Sequence, residues 1–357
     1  MVEWKKLGDI ASVSNGERPT SDILEVGMYP YINAGRTNSG YLNDFNSKSG
    51  AITTPSHGEG GIGCVLFQYH DFWCGALCYK MYTTKGVEGR YLYHYLSNNT
   101  EKIINCKNVG GQPYINRKQL ENIVIGVPSL SEQQRIVGIL DTFTASIDNL
   151  KEQIAQRRKQ YEYYRDQLLD LEGKEGVKRI TLKDICEVIN GRAYSQPELL
   201  NEGKYRVLRV GNFFSNDKWY YSDLELDDKY YCISGDLLYA WSASFGPHIW
   251  EEEKTIYHYH IWKMNCSEKL TIKYMYYWLQ SNDMRKQAFV NLHGATMAHL
   301  TKVLMESLMV PVPSLSEQHR IVSILDTFES SIRNLESQLS QREKQYEYYR
   351  NKLLTFE

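Results

Sequence analysis

The chain has 357 residues, 42% of them hydrophobic, so it is long enough for two or three domains that each bury a core. Its 41 basic and 43 acidic side chains give a formal net charge of −2, without the basic excess of a protein that neutralises DNA phosphates unaided. Either the protein does not bind nucleic acid, or partner proteins supply much of the positive charge. The seven cysteines form no CxxC pair, which favours free thiols, and no signal peptide or long apolar run is found, so we expect a cytoplasmic protein.

The first globular segment covers residues 1–130 and is predicted to be an α/β (α+β) domain with short strands. β-Favouring runs flanked by turn residues predict strands at residues 50–54 and 62–67, and a helix is predicted at residues 90–97. Residues 58–63 match GxGxxG, but a strand is predicted after them where a dinucleotide site needs a helix, so we favour a glycine-rich turn. We predict no metal site, since only Cys74 and Cys78 approach metal-ligand spacing.

A long amphipathic helix is predicted over residues 131–172, with Ser131 as its N-terminal cap after Pro128. Its apolar residues recur at alternating spacings of four and three, which is typical of a helix-pairing seam. The predicted seam consists of Ile136, Leu140, Phe143, Ile147, Leu150 and Ile154. One such seam cannot bury itself, so a second helix must cover it.

The second globular segment, residues 173–315, is predicted to be another α/β (α+β) domain. Strands are expected at residues 203–211 and 235–241, and a helix at residues 271–280. His258 and His260 alternate on a predicted strand, where they could share one face and bind a metal. We favour a structural role for this pair.

A second long helix is predicted over residues 316–357, with Ser316 at its start. Residues 128–172 and 313–357 are identical at 31 of 45 positions, so this part of the chain is duplicated. Its seam consists of Ile321, Leu325, Phe328, Ile332, Leu335 and Leu339. Because the first helix leads into the second globe, we expect the two helices to pair antiparallel in a pseudo-twofold arrangement; the alternative is pairing with another molecule.

Both globes share a sequence frame. Each opens with Leu-x-Asp-Ile and then Asn-Gly, from Leu7 to Gly16 and from Leu182 to Gly191, and each ends in Val-Pro-Ser-Leu-Ser-Glu-Gln-x-Arg-Ile-Val. The second globe also contains the runs 235–242 and 294–296. This combination resembles the DNA sequence-specificity subunit of type I restriction-modification enzymes over essentially the whole chain. The resemblance implies two target-recognition domains that each read half of a bipartite, asymmetric DNA site. It further implies that the helices set the spacer between the half-sites and dock methyltransferase subunits.

The resemblance also implies which molecules work with this chain. Its partners would be double-stranded DNA, two methyltransferase (modification) subunits and, in the full complex, two restriction/translocase subunits. We expect no catalytic residue and no cofactor here, with S-adenosylmethionine, ATP and Mg²⁺ bound by the partners. The alternatives are a coiled-coil scaffold whose globes bind protein, and a nucleotide-using enzyme.

Residues that could contact bases are poorly marked, and we select side chains suited to base or phosphate contacts on predicted loops. In the first globe the candidates are Arg36, Asn38, Ser56, His57, Gln112 and Tyr114. In the second globe they are Arg209, Asn212, Trp241, Ser242, His248 and His293.

Overall fold

The structure, a computed structural model, describes residues 2–108, 111–214, 216–242, 244–289 and 300–356. The chain forms two compact units: unit 1 is Met1–Glu152 with Glu336–Glu357, and unit 2 is Gln153–Leu335. Each unit therefore contains one globe, part of the first long helix and part of the second. Along the described part of the chain, no helix combines the length and the apolar character needed to cross a membrane.

Unit 1 is built on two small sheets whose strands alternate along the chain. Its strands are β1 (Glu3–Lys6), β2 (Ala11–Asn15), β3 (Tyr29–Ile32), β4 (Tyr41–Leu42), β5 (Ile52–Pro55), β6 (Leu66–Phe67), β7 (Trp73–Cys74), β8 (Cys78–Thr83) and β9 (Val124–Val127). Its helices are α1 (Leu7–Ile10), α2 (Gly89–Asn98), α3 (Thr100–Ile104) and α4 (Arg117–Glu121). The sheets have the orders β2-β8-β5-β6 and β4-β3-β7, and β1 pairs with β9. Leu7, Ile52, Met81 and Leu92 are fully buried in its core.

The first long helix, α5 (Leu130–Leu169), begins directly after unit 1's last strand. The cap predicted at Ser131 is wrong, because the helix starts one residue earlier. Ser129 Oγ accepts a hydrogen bond from Glu132 N at 3.4 Å, and in the second copy Ser314 Oγ accepts one from Glu317 N at 3.3 Å. The serine before the leucine is therefore the cap in both copies, and Ser316 is not.

Unit 2 repeats this plan with longer loops. Its strands are β10 (Lys178–Thr181), β11 (Cys186–Asn190), β12 (Tyr205–Leu208), β13 (Tyr220–Ser222), β14 (Tyr231–Cys232), β15 (Leu237–Ser242), β16 (Ser244–Ile249), β17 (Thr255–Tyr257), β18 (Ile261–Cys266) and β19 (Met309–Val312). Its helices are α6 (Leu182–Ile185), α7 (Val210–Phe214), α8 (Ile272–Trp278), α9 (Asn282–Phe289), α10 (Lys302–Ser307) and the second long helix α11 (Leu315–Leu354), with 3-10 turns at Gln196–Glu198 and Asp228–Tyr230.

The sheets of unit 2 have the orders β11-β18-β15-β16 and β13-β12-β17-β14, and β10 pairs with β19. These orders match those of unit 1 strand for strand, with β14 as an addition. The α/β (α+β) fold in two copies is thus confirmed. The core of unit 2 includes the fully buried side chains of Trp262, Trp278 and Tyr274.

The long helices run antiparallel, as predicted, within each unit. In unit 1, Phe143 stacks on Tyr349 with ring centroids 5.4 Å apart, and Lys151 pairs with Glu343 at 3.4 Å. From Phe143 to Lys151 along α5, the contacted residue on α11 moves back from Tyr349 to Glu343, so the two helices run in opposite directions. In unit 2, Tyr164 stacks on Phe328 at 5.4 Å, while further along α5 Leu168 and Leu169 belong to the cluster that contains Ile321 and Leu325.

The seam residues differ in how far they are buried. Ile136, Leu140, Ile321 and Leu325 are fully buried, because they pack into the globe cores as well as against the other helix. Ile147 and Ile154 are 7% and 8% exposed. The remaining seam residues are half-buried, namely Phe143, Leu150, Phe328, Ile332, Leu335 and Leu339.

Most predicted globe elements are present, and the misplaced ones lie at turns. Strands β5 and β15 and helices α2 and α8 lie where they were predicted. The strand predicted at 62–67 covers only Leu66–Phe67, because Ile62 N donates to Gly58 O (3.3 Å) and Cys64 N to Gly61 O (3.0 Å), so the chain turns there. The strand predicted at 203–211 ends at Leu208, because Asn212 Oδ1 accepts a hydrogen bond from Arg209 N and starts a turn that leads into α7.

Candidate nucleic-acid interface

Both units contain the same backbone turn, which follows β7 in unit 1 and the equivalent strand β17 in unit 2. In unit 1 this turn is Gly75–Leu77, between β7 and β8. Three hydrogen bonds hold it: Gly75 N donates to Ile32 O (2.7 Å), Ser56 N to Leu77 O (2.8 Å) and Cys78 N to Gly75 O (3.1 Å). The turn is thereby tied to the ends of β3 and β5.

In unit 2 the equivalent turn is His258–His260, between β17 and β18. The strand predicted to hold both histidines ends at Tyr257, so that prediction is wrong. The equivalent hydrogen bonds hold the turn: His258 N donates to Leu208 O (2.9 Å), Trp241 N to His260 O (3.1 Å) and Ile261 N to His258 O (2.9 Å). The backbone frame is thus repeated, while the side chains differ at every turn position.

The Asn-Gly pair that opens both globes has a structural reason. A Cβ on Gly16 would lie 2.2 Å from Cys74 O, and a Cβ on Gly191 would lie 2.4 Å from His258 O. Gly16 N donates to Cys78 O and Gly191 N donates to Ile261 O, both at 3.1 Å. Only glycine lets the backbone pass this close to the turn, so the motif supports the frame.

The structure brings four of the candidates in the first globe together. Ser56 is fully buried, and its Oγ lies 2.9 Å from His57 Nδ1. The His57 ring stacks on Tyr114 at 5.8 Å, and Arg36 Nε donates to Gly60 O at 2.8 Å, which ties the Arg36 loop to the loop after His57. Ser56 therefore orients His57 from below the surface.

The other two candidates of unit 1 are exposed. Asn38 lies on the Arg36 loop, and Gln112 lies two residues before Tyr114. The Tyr114 hydroxyl accepts a hydrogen bond from Asn108 Nδ2 at 2.7 Å. Beside this loop, Lys107 pairs with Glu59 at 3.1 Å on the wall of an open cavity of about 490 Å³.

Two candidates of unit 2 lie beside the turn His258–His260. Arg209 is exposed, with its guanidinium 5.3 Å from the centre of the Tyr220 ring. Trp241 Nε1 donates to Tyr259 O at 2.9 Å, and the Trp241 ring meets His260 edge-on at 5.1 Å. Arg209 and Trp241 therefore lie next to the turn.

The remaining candidates of unit 2 have mixed positions. Asn212 Nδ2 donates to Asn216 O and Lys218 O, so this side chain folds its own loop. Ser242 ends β15 opposite Ser244. His248 stacks on Phe213 at 4.9 Å, and burial lowers its pKa. His293, like the run 294–296, lies outside the described residues.

Sequence reasoning missed several residues of a small cavity beside this turn in unit 2. This cavity has a volume of about 220 Å³ and is lined by Arg209, Asn212, Lys218, Tyr220, His258 and His260, among others. Burial, with the nearby His260 and Arg209, lowers the pKa of His258 to about 4, so this ring is neutral near pH 7. An alignment of the two globes that pairs Tyr93 with Tyr276 also pairs Gly75–Leu77 with His258–His260. This alignment would have shown that the two copies differ at every position of the turn.

A metal-dependent reading of this region finds no support among the described residues. Within the parts of the chain that the structure covers, no group of three or more histidine, cysteine or acidic side chains is arranged to hold a metal ion. The two histidines of the turn are 4.9 Å apart between ring centroids and meet edge to face. The site offers hydrogen-bond donors, acceptors and aromatic faces.

Comparison with known proteins gives a consistent result. Residues 1–157 and 174–342 match the family described as "Type I restriction modification DNA specificity domain". A putative type I restriction enzyme specificity subunit of Haemophilus influenzae is 29% identical over 99% of this chain and 96% of its own length. The EcoR124I/EcoR124II specificity subunit of Escherichia coli is 26% identical over 99% of this chain and 94% of its own length.

Solved structures share the fold. The crystal structure of a type I restriction-modification system S subunit from M. genitalium superposes with a TM-score of 0.70 at 18% identity, over 100% of this chain and 97% of that one. A chain from a study of complex assembly and conformational transition of the type I R-M system superposes with a TM-score of 0.61 at 16% identity, over 99% and 97%.

Proposed function

The chain belongs to the type I restriction-modification DNA specificity family, and from this premise we propose that each of its units reads one half of a bipartite, asymmetric DNA site. It is a specificity subunit, a type of subunit without catalytic activity, and methylation and cleavage belong to its partners. The reading of two half-sites, the spacer and the docking arrangement are the proposal.

One observation carries the proposal: the two units share a backbone frame and differ in the side chains that the frame presents. The turn that follows β7 in unit 1 is Gly75–Leu77, and the turn that follows β17 in unit 2 is His258–His260, with equivalent hydrogen bonds in both. A protein that reads two different base sequences needs one scaffold with two sets of side chains, because base edges are distinguished by donors, acceptors and methyl groups.

The side chains around the frame suit this role. Arg36, His57, Gln112 and Tyr114 would contact DNA from unit 1, and Arg209, Trp241 and His248 from unit 2. The net charge of −2 suits a chain whose partners neutralise most of the phosphates. The docked methyltransferase subunits would provide that charge, together with the S-adenosylmethionine site; ATP and Mg²⁺ would be bound by the restriction subunits. A cytoplasmic location stays a prediction.

Docking of two copies of one partner is supported by repeated features of the long helices. Tyr163 is 61% exposed and Tyr348 is 59% exposed, and they occupy equivalent positions of the duplicated segment. Each meets the following tyrosine edge to face at 5.3 Å. Exposed aromatic rings with a polar tip are frequent in protein interfaces. The same patch displayed twice fits two copies of the methyltransferase subunit.

The experiment is a domain exchange. Residues 1–127 are replaced by the first globe of another family member, and genomic methylation is mapped by sequencing in cells that express the cognate methyltransferase subunit. We expect one half-site to change while the other half-site and the spacer stay the same. A change in both half-sites would overturn independent reading, and a wild-type protein that directs methylation to no bipartite site would overturn the proposal as a whole.

A further inference from the structure

We propose that the side chains of the turn His258–His260 select bases in the half-site of unit 2, which makes this turn a specificity-determining element. The inference rests on the proposed function and deepens it by naming the residues that choose the sequence. Nothing in the sequence pattern singles out these residues for DNA, and their role follows from the geometry of the turn.

Backbone hydrogen bonds hold the turn, and one side chain adds to them, since His258 Nδ1 accepts a hydrogen bond from His260 N at 3.5 Å. Besides the bonds shared with unit 1, Tyr259 N donates to Arg192 O at 3.0 Å, and Trp241 Nε1 donates to Tyr259 O at 2.9 Å. The equivalent turn of unit 1 keeps the shared hydrogen bonds with Gly75, Ala76 and Leu77 in place of the two histidines and the tyrosine. The two imidazoles and the phenol are therefore not needed to form the turn.

The turn presents its side chains in a form suited to reading bases. Tyr259 is 38% exposed, and His258 and His260 are half-buried on the wall of the 220 Å³ cavity. A neutral imidazole carries one donor and one acceptor. The His258 and His260 rings contact each other, and the His260 ring also contacts Trp241, which limits the directions that these groups can take. A rigid turn loses little conformational entropy on binding, so these groups can discriminate between base edges efficiently.

Positively charged side chains, which can contact phosphates, flank the same cavity. Arg209 and Lys218 both line it, and each lies within 5.5 Å of the Tyr220 ring centre. Arginine and lysine contact phosphates without sequence preference and can also contact guanine. Arg209 and Lys218 then hold the DNA against unit 2, while the side chains of His258–His260 discriminate between bases.

The test grafts the turn of unit 1 into unit 2. The chain carrying His258→Gly, Tyr259→Ala and His260→Leu together is expressed with its methyltransferase subunit, and methylated sites are mapped by sequencing. We expect preference for at least one base to fall roughly tenfold or more, in one half-site only. The affected half-site must be the one that survives exchange of residues 1–127, and the spacer must stay the same.

Two single variants of the turn and one control variant keep the result interpretable. If the triple variant does not assemble with the methyltransferase subunit, Tyr259→Ala and His260→Ala are mapped individually, since each leaves the backbone hydrogen bonds in place. His70→Ala, an exposed histidine on a loop of unit 1, is the matched control and should leave the methylated sequence unchanged. An unchanged sequence in assembled turn variants overturns this inference and leaves the proposed function standing. Absence of a bipartite site in the wild type overturns both.

Discussion

At the scale of single residues, the clearest difference between the two copies lies where a globe meets its long helix. In unit 1, Asp141 of α5 accepts hydrogen bonds from Arg90 Nε (3.2 Å) and from His94 Nε2 (2.7 Å). In unit 2, the equivalent Asp326 accepts hydrogen bonds from Lys273 Nζ and from the Tyr277 hydroxyl, both at 2.7 Å, so tyrosine takes the place of His94. His94 is fully buried and its Nδ1 has no hydrogen-bond partner, which fits a neutral ring that donates through Nε2.

This arrangement predicts that acid destabilises the protein. Burial lowers the pKa of His94 below its ordinary 6.5, against the opposing effect of Asp141. The unfolded chain therefore binds a proton near pH 6.5 that the folded chain binds only at lower pH, and the free energy of unfolding decreases as pH falls below 6.5. We expect a lower melting temperature at pH 5.5 than at pH 7.5.

His94→Tyr, which copies unit 2, should make the pH dependence of the melting temperature shallower, because tyrosine does not titrate in this range. His248 and His258 also have lowered pKa values and leave a residual slope of the same sign. His70→Ala is the control and should keep the wild-type slope. Equal slopes in wild type and His94→Tyr would contradict the assignment.

Single residues were the hardest part to predict from sequence. The choice of Arg36, His57 and Arg209 rested on side-chain type, and the structure places them on loops at the frame. Asn212 was chosen for the same reason, yet its amide folds its own loop. His258 and His260 were missed because a period-2 pattern over three residues is shared by strands and turns, and only pairing with β12 and β15 distinguishes them.

At the scale of elements, each long helix is anchored to its globe by one glutamine of the duplicated motif. Gln133 is fully buried; its Nε2 donates to Gly86 O (3.2 Å) and Pro128 O (2.9 Å), and its Oε1 accepts from Glu88 N (2.8 Å). Gln318 repeats the pattern with Lys269 O (2.8 Å), Pro313 O (3.0 Å) and Thr271 N (2.9 Å). The glutamine joins the start of the helix to the segment before α2 or α8.

Removing this anchor should therefore cost stability. Gln133→Leu leaves three backbone groups without their partner, and we expect the free energy of unfolding to fall by about 1–3 kcal/mol. Gln134→Leu, at the exposed neighbouring position, is the matched control and should change it by less than about 0.5 kcal/mol. Urea denaturation of both variants decides between an anchor and a passive position; equal midpoints would argue against the anchor.

Elements were predictable where one physical signal dominates. The long helices, each forty residues long from Leu130 and from Leu315, followed from a heptad pattern that begins at Ile136 and at Ile321. Their caps were misplaced by two residues, because Ser129 and Ser131 are both good caps and only the backbone path selects the first. The short strands of the globes depend on tertiary pairing, so their ends could not be read from the sequence.

At the scale of the whole molecule, the duplicated helices are proposed to set the spacer of the DNA site. One heptad is inserted beside Lys151 in α5 and one beside Glu343 in α11, which are paired at 3.4 Å. Seven residues lengthen a helix by about 10 Å, so we expect the spacer of the methylated site to grow by about three base pairs, with both half-sites kept. Exchanging residues 145–151 and 330–336 between the helices keeps their lengths and should leave the spacer unchanged. A spacer that ignores the insertion would rule out this role.

Unit 1 combines two separate parts of the chain, and this affects the order in which the two units fold during synthesis. Its core includes Leu354, and Phe356 packs against it, so residues near the carboxyl end complete a unit that begins at the amino end. Unit 2 is continuous in sequence and can fold as soon as residue 335 has left the ribosome, whereas unit 1 must wait for the last residues. A stop codon within residues 336–357 would therefore damage the first-synthesised globe more than the second, and a truncated chain would leave the ribosome with its amino-terminal core open.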